Sequence, residues 1–227
     1  EYDILKDELT KKDPSHSVLK EVGHTPIQGK VNLPIHLGSM DKIKPGTREL
    51  VNYFKKYKGP YVVSQKLDGI SLLVEYKNKK TSIYTRGNGS VGQNVSHLIP
   101  YINSIPKYEK DMMVRGELIF SKNDWLSINE TNKEFSNARN TMSGLLNVKK
   151  KDAIRSKIEL YKKSRFVAYE LIEDKMESSV QLKKLKKFNF EVVQHSVMDE
   201  LTEDNLKNML ISSKKNSLYE IVHTEKV

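Results

Sequence analysis

Cysteine is absent from all 227 residues. That excludes a disulfide framework and any thiolate metal site, and it fits a reducing compartment. Long apolar runs are missing too: none approaches the roughly 20 consecutive residues that a membrane-spanning helix needs. No signal-peptide pattern opens the chain, and no internal repeat is visible. Negative charge is in short supply. Asp and Glu total 29 against 39 Lys and Arg, a formal net charge of +10. Such a surplus points to a polyanionic partner, most simply nucleic acid, with a merely solvated lysine-rich surface as the bland alternative. The length allows one large domain, or a domain with a small appendage.

What is present divides at the prolines and glycines. Tyr2, Leu5 and Leu9 recur at i, i+3 and i+7, the stripe of a helix end. Asp13-Pro14-Ser15 breaks it, and a loop rich in Gly, Pro, His and Asn runs to about Pro34. Thr47 is placed to cap a helix with Leu50, Val51, Phe54 and Tyr57 on one face. Tyr61-Val62-Val63 reads as a buried strand. Ile70–Tyr76 and Thr81–Thr85, joined by Lys77-Asn78-Lys79-Lys80, read as an antiparallel hairpin. Met112–Phe120 is a strand, and Ser121 with Asp124 resembles a capping box. Phe135 to Leu146 contains a short helix. Lys149 to Arg165, lysine-rich with few apolar anchors, reads as a solvated loop or a phosphate-backbone contact. Phe166–Ile172 and Phe190–Gln194 are strands, Ser179 and Thr202 cap helices, and Ser217–Val222 starts a last strand. Hairpins early and strand–helix units late imply an α+β fold with a largely antiparallel sheet.

Three stretches carry chemistry. In Lys66-Leu67-Asp68-Gly69 the lysine and aspartate are two residues apart. Alternation along a strand turns both toward one pocket while Leu67 packs behind. A lysine is a nucleophile only while part of its population is neutral. Gly69 would let the backbone turn and approach a ligand. Arg86-Gly87-Asn88-Gly89-Ser90-Val91-Gly92 contains a literal G-x-G-x-x-G. A dinucleotide fold is excluded because the preceding strand belongs to a hairpin and no βαβ unit follows. A kinase glycine loop lacks its V-A-I-K strand. Arg115-Gly116-Glu117 places two charges inside an apolar strand, which is costly unless they are paired or bind something.

In order and spacing these stretches resemble one family, the nucleotidyltransferase core of NAD-dependent DNA ligases. Lys66-Leu67-Asp68-Gly69 resembles its adenylation motif, and Thr85 to Gly92 its T-R-G-D-G-x-x-G stretch. Val114-Arg115-Gly116-Glu117 resembles its V-R-G-E strand, Phe135 to Gly144 its F-A-N-P-R-N-A-A-A-G segment, and Ala168-Tyr169 its aromatic strand over the base. Glu1 to Leu5 is similar to the end of the small helical domain preceding the core. The resemblance implies an α+β fold of mainly antiparallel, ATP-grasp-like sheets flanked by helices. It divides the chain into 1–13 (end of the helical domain), 14–46 (connection) and 47–227 (adenylation domain, incomplete at its carboxyl end). Lys66 would attack the α-phosphorus of NAD, with Asp68 orienting the ribose or the lysine, making lysyl-AMP and expelling nicotinamide mononucleotide (NMN). Tyr2 and Asp3 would hold the NMN half. Ser39, Met40, Ser64, Gln65, Leu67 and Tyr169 would line the adenosine pocket. Arg86 and Glu117 would bind ribose hydroxyls, and Arg139 would neutralise phosphate. Mg²⁺ would assist, with no metal-ligating side chain assigned. The AMP would pass to the 5′-phosphate of nicked duplex DNA in replication or repair. A monomer, no membrane partner, and a place in the bacterial cytoplasm or at a site of viral DNA replication are expected.

Departures from the pattern accompany the matches. Ser64 stands where the family has glutamate, Asn147 where it has arginine, and Asn88, Gln93 and Asn94 where it prefers carboxylates. Glu220-Ile221 runs into Val222-His223-Thr224 without the family's Asp-Gly, and Lys226 lies too close to serve as its second lysine. Two other classes fit less well. An ATP- or GTP-using nucleotidyltransferase would not carry the Tyr2-Asp3 helix. A noncatalytic DNA-binding module would not need Lys66, Asp68 and Glu117.

Overall fold

The computed structural model describes residues 8–16, 29–40, 43–131, 135, 137–148, 151–172 and 176–222. The chain divides into two compact units: residues 1–41 with 84–94, and residues 42–83 with 95–227.

In the first unit, residues 8–12 are helical. The short strand β1 (Lys30–Asn32) lies antiparallel to β5 (Val91–Gln93). It falls within the stretch expected to be loop, because three residues carry no readable alternation.

The second unit is built on a five-stranded sheet in the order β4-β3-β6-β7-β8. These strands are β3 (Ile70–Lys77), β4 (Lys80–Thr85), β6 (Met112–Ile119), β7 (Arg165–Ile172) and β8 (Glu191–Val192). The β3–β6 and β6–β7 pairs are antiparallel, and β7–β8 is parallel. The α+β expectation with mainly antiparallel pairing therefore holds. Asn78 and Lys79 both take positive φ (50° and 60°) at the β3–β4 turn, the backbone that matches a tight hairpin's twist.

Alternation along β3 and β6 separates two faces. Leu72, Val74, Tyr76, Val114 and Leu118 belong to the main core. Ser71, Arg115 and Glu117 point the other way, Ser71 opposite Glu117 and Leu73 opposite Arg115. Phe166, Phe190, Leu182 and Leu185 complete the core. Helix α1 (Arg48–Lys56) follows Thr47, and β2 (Tyr61–Ser64) pairs with β9 (His195–Met198) in a separate antiparallel ribbon.

Several local readings are corrected. Thr47 occupies the N-cap position, but its hydroxyl donates to the Lys44 carbonyl at 2.7 Å and caps nothing. On α1 only Leu50 is buried, Val51 is about half exposed, and Tyr57 follows the helix as its C-cap, also about half exposed. The stretch read as a loop from Lys149 holds two helices, α4 (Lys151–Arg155) and α5 (Ile158–Lys163). Ile154 and Tyr161 anchor them, Tyr161 donating to the Leu145 carbonyl at 2.8 Å. Two anchors suffice for single-turn helices, too few for a periodic signal. Ser179 lies inside helix α6 (Ser178–Lys187), whose N-cap is Glu177. The strand read over 190–194 shrinks to β8, and Ser217–Val222 forms isolated bridges to Ser121 and Leu67. At the head of α2 (Lys122–Thr131) the Asp124 amide donates to Ser121 Oγ at 3.0 Å and the Ser121 hydroxyl donates to Asp124 Oδ2 at 2.6 Å, while Thr202 caps α7 (Glu203–Asn216) in a full capping box with Asn205. Helix α3 (Ala138–Leu146) is capped by the Asn137 side chain, which accepts from the Asn140 amide at 2.7 Å.

Candidate active site

The segment carrying the lysine is held from both sides by backbone. Gln65 N–H donates to the Gln194 carbonyl (3.1 Å), Asp68 N–H to the Glu220 carbonyl (2.9 Å), and Val222 N–H to the Lys66 carbonyl (2.8 Å). The Gln65 amide nitrogen donates to the Gln194 side chain at 2.9 Å, and its oxygen accepts from the Ser217 hydroxyl at 2.9 Å. Leu67 is buried in the core and Lys66 is exposed. The alternation expected of residues 66–68 is therefore realised: Leu67 anchors, and its neighbours stay accessible. Leu67's contribution is this anchoring and its bridge to Ile221. Ser64, exposed, pairs with His195 in the β2–β9 ribbon.

Gly69 has another reason than a sharp turn. Its φ is not positive. A Cβ there would lie 2.5 Å from the Leu118 carbonyl oxygen and 2.9 Å from Glu117 Cγ. The missing side chain lets the lysine segment press against β6, so that Glu117 sits directly beneath it. Gly116 serves the same end on the other face, where a Cβ would meet the Phe166 ring and the Val167 carbonyl oxygen, each at 2.6 Å.

Around this segment the charges are arranged in pairs. Arg139, near the start of α3, donates from Nη1 to Asp68 Oδ1 at 2.7 Å. Both groups are partly exposed, so the pair organises more than it stabilises. Burial pushes the Glu117 carboxyl up to about 7, against the opposing pull of Lys66, Arg139 and Arg115, with Asp68 adding a push upward. Two carboxylates beside one lysine thus sit in different environments, one ion-paired at the surface and one desolvated.

The neighbouring strand adds an aromatic shelf. The Tyr169 hydroxyl shares a hydrogen bond with Ser71 Oγ at 3.0 Å. Burial raises the Tyr169 pKa, and the nearby Glu117 charge adds to it. The Arg115 guanidinium lies 5.7 Å from the Tyr169 ring centre and 3.6 Å from Glu170. The sequence reading missed Ser71, although it sits one residue out of phase with Leu72, Val74 and Tyr76. It also missed the Gln194 and Ser217 staples, which no local pattern marks.

In the first unit, Arg86 Nη1 donates to Ser39 Oγ at 3.2 Å. Gly87 and Gly89 take positive φ (54° and 98°). The Asn88 side-chain oxygen, Oδ1, accepts from the Ser90 and Val91 backbone amides at 3.1 and 2.8 Å. Asn88 therefore shapes the loop's own turn, and an aspartate would do so equally. Met40 is exposed. Tyr2 and Asp3 lie outside the described residues.

Among the described residues no group of three or more His, Cys, Asp or Glu side chains could hold a metal ion, and no helix is long and apolar enough to cross a membrane.

The family model of the NAD-dependent DNA ligase adenylation domain matches residues 40–221. The chain is 38% identical to a DNA ligase of Acanthamoeba polyphaga mimivirus, over 97% of its own length and 34% of the relative's. It is 30% identical to a DNA ligase of Wolbachia pipientis subsp. Culex pipiens, over 97% of this chain and 36% of that one. It thus spans about a third of the length of the curated relatives it matches. An RNA ligase of Naegleria gruberi superposes with a TM-score of 0.41 at 14% identity, covering 82% of this chain and 50% of that chain. By the match across most of its length, the chain belongs to the NAD-dependent DNA ligase adenylation domain family.

Proposed function

We propose that this chain is the adenylating part of an NAD-dependent DNA ligase and that Lys66 is its nucleophile. The observation that carries the reading is the exposed lysine on a backbone-stapled segment, flanked by the Asp68–Arg139 pair and underlain by half-buried, desolvated Glu117. The neutral Lys66 amine attacks the α-phosphorus of NAD. The Nζ–P bond forms, the P–O bond to NMN breaks, and NMN leaves as the phosphate anion. The proton lost from Nζ needs an acceptor beside the lysine, and ionised Glu117 or solvent supplies one. Phosphoryl transfer is chiefly positioning and charge neutralisation. Arg139 supplies a cation, and the Asp68 pair fixes its direction. Ser64, Gln65 and Tyr169 are proposed as contacts of the adenosine.

The donor set fits Mg²⁺, which typically keeps its waters and binds through one or two carboxylates plus substrate phosphates, so it requires no all-protein cage. Asp68 would hold it together with the substrate phosphates, and its chemistry would be to offset phosphate charge.

The wider roles rest on the motif resemblance alone. These are NMN binding by Tyr2 and Asp3, nucleotide contacts by Ser39, Met40 and Arg86, the boundaries 1–13, 14–46 and 47–227, and transfer of AMP to nicked duplex DNA in replication or repair by a monomer.

Intact mass after incubation with NAD and Mg²⁺ tests the reading. One AMP adduct is expected, absent in Lys66→Ala and in Lys66→Arg, whose guanidinium stays protonated. An adduct persisting in Lys66→Ala overturns the assignment. With ATP in place of NAD no adduct is expected, and one of equal yield would favour the ATP-using class.

A further inference from the structure

The lysines that the proposed reaction does not use are concentrated. Residues 77–80, 107–111 and 183–189 hold nine lysines against two carboxylates, Glu109 and Asp111. That is an excess of seven in a chain whose whole excess is ten.

The fold brings these three stretches together. The Asn78 amide, in the β3–β4 turn, donates to Asp111 Oδ1 at 2.9 Å, which also occupies one of the two carboxylates. Tyr108 lies against Phe188, at the end of α6, with ring centres 4.7 Å apart. Tyr108 also meets Tyr76 of β3, centres 6.0 Å apart. Lys184 Nζ lies 5.9 Å from the Phe188 ring centre. The aromatic contacts seat the loop and the helix on the core face, and the lysines between them turn outward. Lys77, Lys79, Lys80, Lys107, Lys110 and Lys187 are all exposed. They enter none of the ion pairs found among the described residues.

Tyr76 points to the core face of β3, whereas Ser71 and Glu117 point to the opposite face beside Lys66. The rings that seat the patch's loop and helix therefore lie on the opposite face from Ser71 and Glu117, and the β3–β4 turn is at the other end of β3 from the Lys66 segment.

We propose that this patch is a second, sequence-independent contact for the phosphate backbone of duplex nucleic acid, separate from the strand engaged at Lys66. Charge complementarity selects this occupant. Protein interfaces centre on buried apolar and aromatic groups, and no exposed large hydrophobic side chain among the described residues lies in these three stretches. Lysines act on phosphate as point charges, which suits backbone contact and carries no base readout.

The test is fluorescence anisotropy of a labelled, unnicked duplex against the 227-residue chain over a range of sodium chloride. The patch variant combines Lys79→Glu, Lys107→Glu, Lys110→Glu and Lys187→Glu. The control carries the same change of charge at Lys11, Lys12, Lys55 and Lys215. Each phosphate that is no longer neutralised flattens the slope of log K against log salt by about 0.9. The patch variant should flatten it by about 2 to 3 and weaken low-salt binding at least about tenfold, the control by much less. A Lys→Gln set at the same four patch positions should flatten the slope too, and serves if charge reversal impairs folding. An unchanged slope in that set overturns the proposal, as does equal weakening in patch and control variants. Polyglutamate held as tightly as duplex also overturns it, in favour of an acidic protein partner. Lysyl-AMP formation should be unaffected in the Gln set. If adenylation fails in every form of the protein, the duplex slopes still decide this proposal by themselves.

Discussion

The two faces of the five-stranded sheet are made by the same strands and do opposite work. On one, Leu72, Val74, Tyr76, Val114 and Leu118 are almost wholly removed from water. On the other, Ser71, Arg115, Glu117 and Tyr169 gather beneath the lysine segment. The difference comes from a period of two in the sequence. It teaches that substitutions one residue apart, at Leu72 and at Ser71, should fail in different ways: one in stability, the other in chemistry.

Removing the nucleophile separates the faces most sharply. Lys66→Ala should abolish the AMP adduct in a mass measurement while leaving the thermal midpoint close to that of the parent, because Lys66 is exposed and stapled through its backbone. A large loss of stability would mean that the lysine side chain belongs to the core's architecture instead.

The reciprocal change lies on the core face. Leu72→Ala should cost about 2–5 kcal/mol in urea unfolding, the range for a buried leucine truncated to alanine. The folded fraction should still adenylate. Full stability with adenylation abolished would erase the contrast between the faces.

Glu117 belongs to the chemical face and is nonetheless desolvated, so it should show both kinds of effect. Its folded pKa of about 7 lies above the ordinary 4.5. Between those values the folded chain holds a proton that the unfolded chain has released. Stability from this group is therefore full below about pH 4.5 and falls as pH rises through 7, by about 3 kcal/mol at most. Glu117→Gln keeps the shape and removes the titration. Its thermal midpoint relative to the parent should rise from pH 5 to pH 8, whereas the AMP adduct should form more slowly. A constant difference in midpoint across that range would show that Glu117 does not titrate there.

A small change in stability is also expected at the Asp68–Arg139 pair. Arg139→Ala should shift unfolding by less than about 1 kcal/mol, as exposed ion pairs do. The adenylation rate should drop about a hundredfold if the guanidinium neutralises phosphate. Equal small effects on both would leave Arg139 a surface partner only.

Much of this is readable in the chain because it is local. The hairpin over residues 70–85 announces itself by β-branched and aromatic runs on either side of a polar turn. The cap at Thr202 needs only Asn205, three residues on. The lysine motif, the glycine loop and the Arg115-Gly116-Glu117 strand are contiguous, so their order and spacing carry the family resemblance without any tertiary contact. Alternation alone places Leu67 inward and Lys66 outward.

Tertiary structure decided what depends on distant partners. Arg139 reaches Asp68 from 71 residues away, and Gln194 reaches Gln65 from 129. Strand β9 could not be read because its four residues are half exposed and alternate weakly; pairing with β2 makes them a strand. The helices between Lys151 and Lys163 exist because Ile154 and Tyr161 find core to enter. Gly69 was legible as a glycine, but the reason for it, the Leu118 carbonyl 2.5 Å from a Cβ it lacks, is a fact of packing. The sequence determined which residue types could form strands, caps and a nucleophile, since those preferences reside in single residues and short periods. Burial determined the rest. Only the assembled sheet removes water from Glu117 and sets the lysine segment above it, and desolvation is a property of everything that surrounds a group.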